Sequence, residues 1–205
     1  MIDERTSILA RIRETRRAST VGMPRRQPPL PVVGEDLVAA FSERARKLVS
    51  DVIGPVTRTA VPGVVASYLR ERRLPLLAVA WPETSKLDWE TAGLTIDVRA
   101  AHGADLVGIN EAFCALAETG TLMLLSGPGT PAAVSLLPET HVALLPVSRI
   151  VARMEDAWAL LRKERGSLPR AVNFISGPSR TADIEQTVTL GAHGPYRVLA
   201  VLVEG

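Results

Sequence analysis

The chain has 205 residues, 46% of them apolar and 22% charged, with a formal net charge of +2. That is the composition of a globular protein long enough to bury a core without cross-links. The single cysteine, Cys114, excludes an internal disulfide and a cluster held by this chain's own thiolates, which takes about four.

The opening MIDERTSILARIRETRR has no apolar segment of the signal-peptide kind, and no run approaches the ~20 residues of a membrane helix, so a cytoplasmic location is expected. Residues 1–30 carry seven arginines against three acids, a net +4 that leaves the remainder acidic. A basic arm suits nucleic acid or an acidic partner. No aromatic residue lies among the arginines to stack on bases, so nucleic acid is disfavoured. Ile8, Leu9 and Ile12 recur at helical spacing, as on a short docking helix. The proline-rich GMPRRQPPLPVVG (22–34) reads as an extended linker. The expected organisation is therefore an arm and linker over 1–34 and a domain over 35–205.

Glu35 and Asp36 open an amphipathic helix through Leu48, acids first and bases last, ended by Gly54-Pro55. A strand is expected over 56–59 and a proline-led helix over 62–73. Apolar runs of strand length follow at LLAVAW (76–81), LTIDV (94–98) and ADLVGI (104–109). A helix is expected from Asn110, as cap, to Glu118. Then come strands at TLMLLS (121–126), HVALLPV (141–147) and AVNFIS (171–176), with a helix over 151–165, and a last strand RVLAVLV (197–203). Unbroken apolar strands alternating with helices predict an α/β fold, a mostly parallel sheet flanked by helices. Ligands of such sheets sit outside the carboxyl ends of the strands.

Three turns stand out on that rule. LLSGPGTPAAV places Gly127, Gly129 and Ala132 in a G-x-G-x-x-A pattern, but Pro128 and Pro131 remove amides that a phosphate cradle needs, which favours a tight glycine turn. In SGPSRTADIEQT, Ser179 or Thr181 would cap a new helix with Asp183 and Glu185 in its first turns. Arg180 remains over, and beside free helix amides it would hold a carboxylate or phosphate; anion site and simple cap are both open. In AETGTL, Glu118 at a helix end is either a general base or a solvated acid, and Thr119, Gly120 and Thr121 enter the next strand. His102, His141 and His193 show no metal-ligand spacing, and no metal site is expected. His193, in GAHGPYR, either folds back to the Arg180 turn or lies in solvent.

ALAETGTLML, LLPETHVALLPVSRIV and above all ISGPSRTADIEQTVTLGAHGP resemble the signature blocks of the LUD-domain family, and more narrowly its short branch, lactate utilisation protein C. The resemblance runs from about Val56 to the last residues and touches the arm at ILARIRE. It implies a fold like that of sugar-phosphate isomerases and coenzyme A transferases. It also implies a place in a bacterial system that oxidises L-lactate to pyruvate beside two iron–sulfur partner proteins. A longer relative of this kind carries a cysteine-rich ferredoxin-like tail that this chain lacks, which implies that redox chemistry sits on the partners and that this chain has no cofactor. The matched positions implied to line a functional cleft are Glu118, Thr119, Gly120, Thr121, Ser176, Gly177, Ser179, Arg180, Thr181, Asp183, Glu185 and His193, with Gly191 and Gly194.

Three functions follow in order: a non-redox subunit binding a small carboxylate or a partner; a self-sufficient transferase or isomerase with Glu118 as nucleophile or base; and a basic-arm binding module. The second requires Glu118 to face Arg180 across one pocket. A homo-oligomer is compatible with each of them.

Overall fold

The computed structural model describes residues 4–18, 33–184, 187–191 and 193–204. The chain divides into two compact units, Met1–Leu30 and Pro31–Gly205. In the first unit, α1 (Glu4–Ala18) is a helix on which Ile8, Leu9 and Ile12 are exposed. The proline-rich segment lies outside the described residues up to position 32, as does Glu185.

The second unit begins with α2 (Leu37–Lys47), whose amino end is capped by Asp36 accepting from the Ala39 amide at 2.9 Å. β1 (Asp51–Val56), α3 (Val61–Glu71), β2 (Leu77–Ala80), β3 (Thr95–Val98) and β4 (Val107–Glu111) follow. Next come β5 (Cys114–Leu116), β6 (Thr121–Leu125), a single-turn α4 (Ala133–Leu136), β7 (Thr140–Pro146), β8 (Ile150–Val151) and α5 (Met154–Arg165). β9 (Val172–Ile175), β10 (Arg180–Ile184), β11 (Thr187–Leu190) and β12 (Arg197–Val203) complete it.

Six strands form an all-parallel sheet in the order β1-β12-β7-β4-β2-β3. This is the α/β class expected from the unbroken apolar runs. Four strands form a second, mixed sheet, β8-β5-β6-β9, and β10 pairs with β11 as an antiparallel hairpin. The second sheet explains why so many apolar strands are present: both faces of its central strands β5 and β6 are buried. Along β6, Leu122 and Leu124 pack toward the parallel sheet with Ala143, Leu145, Ala200 and Leu202. Met123 and Leu125 pack the other way, against Ala157 and Leu161 of α5. The outer face of the parallel sheet is covered by Val61, Val65 and Leu69 of α3. Burial of these layers at ~25 cal/mol per Å² of apolar surface is the main force holding them together.

Three sequence expectations are corrected. Residues 110–118 are two strands, not a helix: Ala112 to Ala117 are buried on both faces, and the sheet overrides the helical spacing of that alanine-rich run. In place of the expected capped helix, β10 (Arg180–Ile184) and β11 (Thr187–Leu190) pair as an antiparallel hairpin. The expected 56–59 strand is instead Asp51–Val56, running through Gly54-Pro55 with a register irregularity between Ile53 and Val56. Proline is tolerated because β1 is an edge strand.

Candidate functional site

From β2 the chain moves outward to β3, returns to the other side of β2 with β4, and then continues through β7 and β12. The direction of winding therefore reverses between β2 and β4. In parallel sheets this reversal opens a crevice at the carboxyl ends of the strands, because the connections on either side leave in opposite directions. A cleft of about 500 Å³ lies there. Trp81, one residue past β2, and Phe113, two past β4, form its floor with Leu125 at the end of β6. All three are buried. Its rim mixes polar and apolar side chains and comes from the 126–130 turn, from Arg149, from Arg165 at the end of α5, and from Ser167 and Leu168 just beyond it.

Local chemistry fixes these walls. The Trp81 indole N–H donates to the Pro131 carbonyl at 3.1 Å, and the Thr130 hydroxyl donates to the Leu125 carbonyl at 2.9 Å. Gly127 and Thr130 exchange backbone hydrogen bonds of 3.4 and 3.1 Å, the tight turn expected from GPGT. The dinucleotide pattern lacks its context here: β6 is antiparallel to both neighbours, and α4 is a single turn. Ser126 accepts from the Ala171 amide at 2.8 Å, tying the rim to β9.

The charges around the cleft are largely matched. Glu111 pairs with Arg58 at 2.8 Å, and Glu83 with Lys86 at 2.7 Å. Arg149 meets both oxygens of Glu164, at 2.5 and 2.9 Å, and lies 5.1 Å from the Phe113 ring centroid. The hydrogen bond to Glu164 raises the Arg149 pKa, and that to Arg149 lowers the Glu164 pKa. Arg165 makes no ion pair or hydrogen bond among the described residues. It is the one rim cation not already occupied by a carboxylate.

The residues singled out by sequence gather elsewhere, around the carboxyl end of α2. Arg44 donates to the Glu118 carbonyl, and Arg180 donates to the Leu48 carbonyl at 3.1 Å. Thr119 donates to Thr121 at 2.8 Å, and Thr121 shares a 2.8 Å hydrogen bond with Ser176, a cross-strand pair continuing the β6–β9 ladder. Gly120 (φ +68°) and Gly177 (φ +88°) have left-handed backbones, and a β-carbon on either would strike main chain of α2 or Leu48. One oxygen of Glu118 is buried without a hydrogen-bond partner. Ser179 closes the base of the hairpin: its amide donates to Pro195 and its carbonyl accepts from Gly191, both at 2.9 Å. Its hydroxyl accepts from the amide of His193, an exposed residue, at 3.3 Å. Thr181 and Asp183 lie on β10.

The structure thus brings Glu118, Thr119, Gly120, Thr121, Ser176, Gly177 and Arg180 together, and Ser179 with His193. None of them lines the cleft between β2 and β4. No ion pair joins Glu118 to Arg180 among the described residues, where no three His, Cys, Asp or Glu side chains converge as a metal site requires. Sequence reasoning missed Trp81, Phe113 and Arg165. The strand-end rule pointed to Trp81, but Arg165 carried no signal beyond its place in the last turn of a helix.

Fold and crevice define a doubly wound α/β domain with a ligand-sized cleft at its switch point. A model of the LUD domain matches residues 40–203, and the chain belongs to that family. A protein named lactate utilization protein C from Halalkalibacterium halodurans is 46% identical over 110 residues, 52% of this chain and 47% of the relative. Proteins of the same name from Bacillus licheniformis and Bacillus subtilis are 35% and 37% identical over 134 and 133 residues, 63% and 62% of this chain and 55% of each relative. The chain spans about half the length of the curated relatives it matches. A DUF162 family protein of known structure from Deinococcus radiodurans superposes with a TM-score of 0.62 at 21% identity, covering 85% of this chain and 100% of that one, and shares the fold.

Proposed function

We propose that the chain is a non-redox component of a bacterial L-lactate utilisation system, acting in the cytoplasm and binding a small carboxylate or other anion in the cleft between β2 and β4. The name carried by its relatives supports the system. The single cysteine, buried under α5, supports the placing of electron transfer on iron–sulfur partner proteins. The observation that carries the site is Arg165: a guanidinium without an ion pair among the described residues, lining the switch-point crevice together with Ser167, suits a carboxylate.

Calorimetric titration of the purified protein with L-lactate, pyruvate and inorganic phosphate tests this. Binding that Arg165→Ala abolishes and Arg180→Ala spares supports the cleft. Binding lost only with Arg180→Ala moves the site to the end of α2. No binding by any of the three anions removes the ligand reading and leaves the interface with the partner proteins as the seat of function.

A second reading, a self-sufficient transferase or isomerase using Glu118, is favoured by the buried oxygen of Glu118 that no donor satisfies. It requires Glu118→Gln to abolish a lactate-dependent activity of the protein without lowering its stability.

A further inference from the structure

The cleft is larger and more apolar at its floor than a three-carbon acid needs. At about 500 Å³ it falls within the 300–1,000 Å³ range of sites that enclose drug-sized ligands. Lactate held at Arg165 would leave the Trp81, Phe113 and Leu125 floor uncovered. On the rim, Leu168 is 68% exposed, the largest exposure among the large apolar side chains of the described residues. An apolar ligand seated on that floor would also cover part of Leu168 at the mouth, removing further apolar surface from water.

Charge narrows the ligand further. Glu83, Glu111 and Arg149 are each in an ion pair; Arg165, within electrostatic reach of Glu164, is the lining cation without one among the described residues. Ser167 adds a hydroxyl on the same side of the mouth. The site therefore matches one negative group, not a polyanion. A second hollow of about 180 Å³ shares Pro128 and Gly129 with the cleft, so the glycine turn is a thin partition with room beyond it.

Resting on the cleft reading above, we propose that the natural ligand is a monoanion carrying a sizeable apolar body, of which an aromatic carboxylate is one kind: the body covers Trp81, Phe113 and Leu125 beside Leu168, and the carboxylate meets Arg165. No bond is made or broken in this step; it is recognition by apolar area with one charge-assisted anchor.

The experiment is calorimetric titration of the whole protein with 2-naphthoate, L-lactate and inorganic phosphate, in wild type, Arg165→Ala and Leu168→Ala, with thermal melts to verify that each variant is folded. Both substituted residues are exposed, so folding should be retained. The expected result is one-to-one binding of 2-naphthoate at least about tenfold tighter than L-lactate. Arg165→Ala should weaken both 2-naphthoate and L-lactate by about tenfold, and Leu168→Ala should weaken 2-naphthoate by about threefold or more, a larger factor than for L-lactate. Naphthoate binding no tighter than lactate overturns the apolar-body proposal while the carboxylate site stands. Naphthoate binding that neither variant disturbs places it elsewhere and also overturns the proposal. Absence of binding by all three anions overturns both.

Discussion

Arg180 and Leu48 are 132 residues apart in sequence and joined in space: the guanidinium donates to the Leu48 carbonyl at 3.1 Å. Leu48 closes α2, whose free carbonyls make its carboxyl end electronegative, so a cation there is favoured and an anion is not. With β10 in place of a helix, no helix amides stand beside Arg180 to help hold a negative ligand. Arg180→Ala is expected to lower unfolding free energy by about 1 kcal/mol, read from urea denaturation, with anion affinity of the cleft unchanged. Lost anion affinity at unchanged stability would show that Arg180 is a ligand contact after all.

Gly120→Ala should be far more costly. The substitution combines a left-handed backbone with a β-carbon pressed into the main chain of Arg44 and Ala45, which cannot yield without moving α2. A loss of about 2 kcal/mol or more is expected in the same denaturation assay. A melting temperature equal to wild type would mean that α2 is not tightly seated on the β5–β6 turn.

Val49 offers the opposite sign. It ends α2 with φ +65°, a conformation costly for a β-branched side chain and ordinary for glycine, and the side chain is 58% exposed, so little packing is lost with it. Val49→Gly is expected to raise stability by about 1 kcal/mol. An unchanged or lowered denaturation midpoint would show that the Val49 side chain contributes more than its exposure suggests.

Acid should destabilise the protein over two separate pH windows. His141, wholly buried on the central strand β7 with one ring nitrogen 3.0 Å from Asn110, has its pKa pushed down to about 4 by burial. An unfolded imidazole titrates near 6.5, so between those values the unfolded chain binds the extra proton and stability falls as pH drops, by on the order of 3 kcal/mol in all. Asp105, hydrogen-bonded to Arg99, is held at about 2, and its contribution is lost as pH falls from roughly 4 toward 2. Urea midpoints measured across both windows should decline in each. His141→Gln should flatten the upper window and Arg99→Ala the lower. A midpoint independent of pH between roughly 6.5 and 4 would contradict the buried neutral imidazole.

Much of the architecture was readable from residues alone because parallel strands buried on both faces leave unbroken apolar runs, as in β7 and β12. What sequence could not separate was the alanine-rich stretch around Cys114, whose spacing fits a helix equally well until a second sheet is known to cover it. ADIEQT misled for the complementary reason: acids after Ser and Thr suit a helix start, yet here β10 pairs with β11 across only a few residues. The candidate site was half legible. The signature residues converge in space, but they grip the end of α2, while the crevice is built from Trp81, Phe113 and Arg165, single residues on three different elements whose proximity no local pattern encodes.

The place of β12 between β1 and β7 has a consequence for synthesis on the ribosome. β1 is made early, yet its only neighbour in the sheet among the described residues is formed by residues 197–203. Until those residues leave the exit tunnel, β1 has nothing to pair with, and the growing chain carries an unfinished sheet with exposed strand edges. Arrested nascent chains ending before Arg197 should therefore remain sensitive to protease and bound by chaperones, whatever the length already extruded.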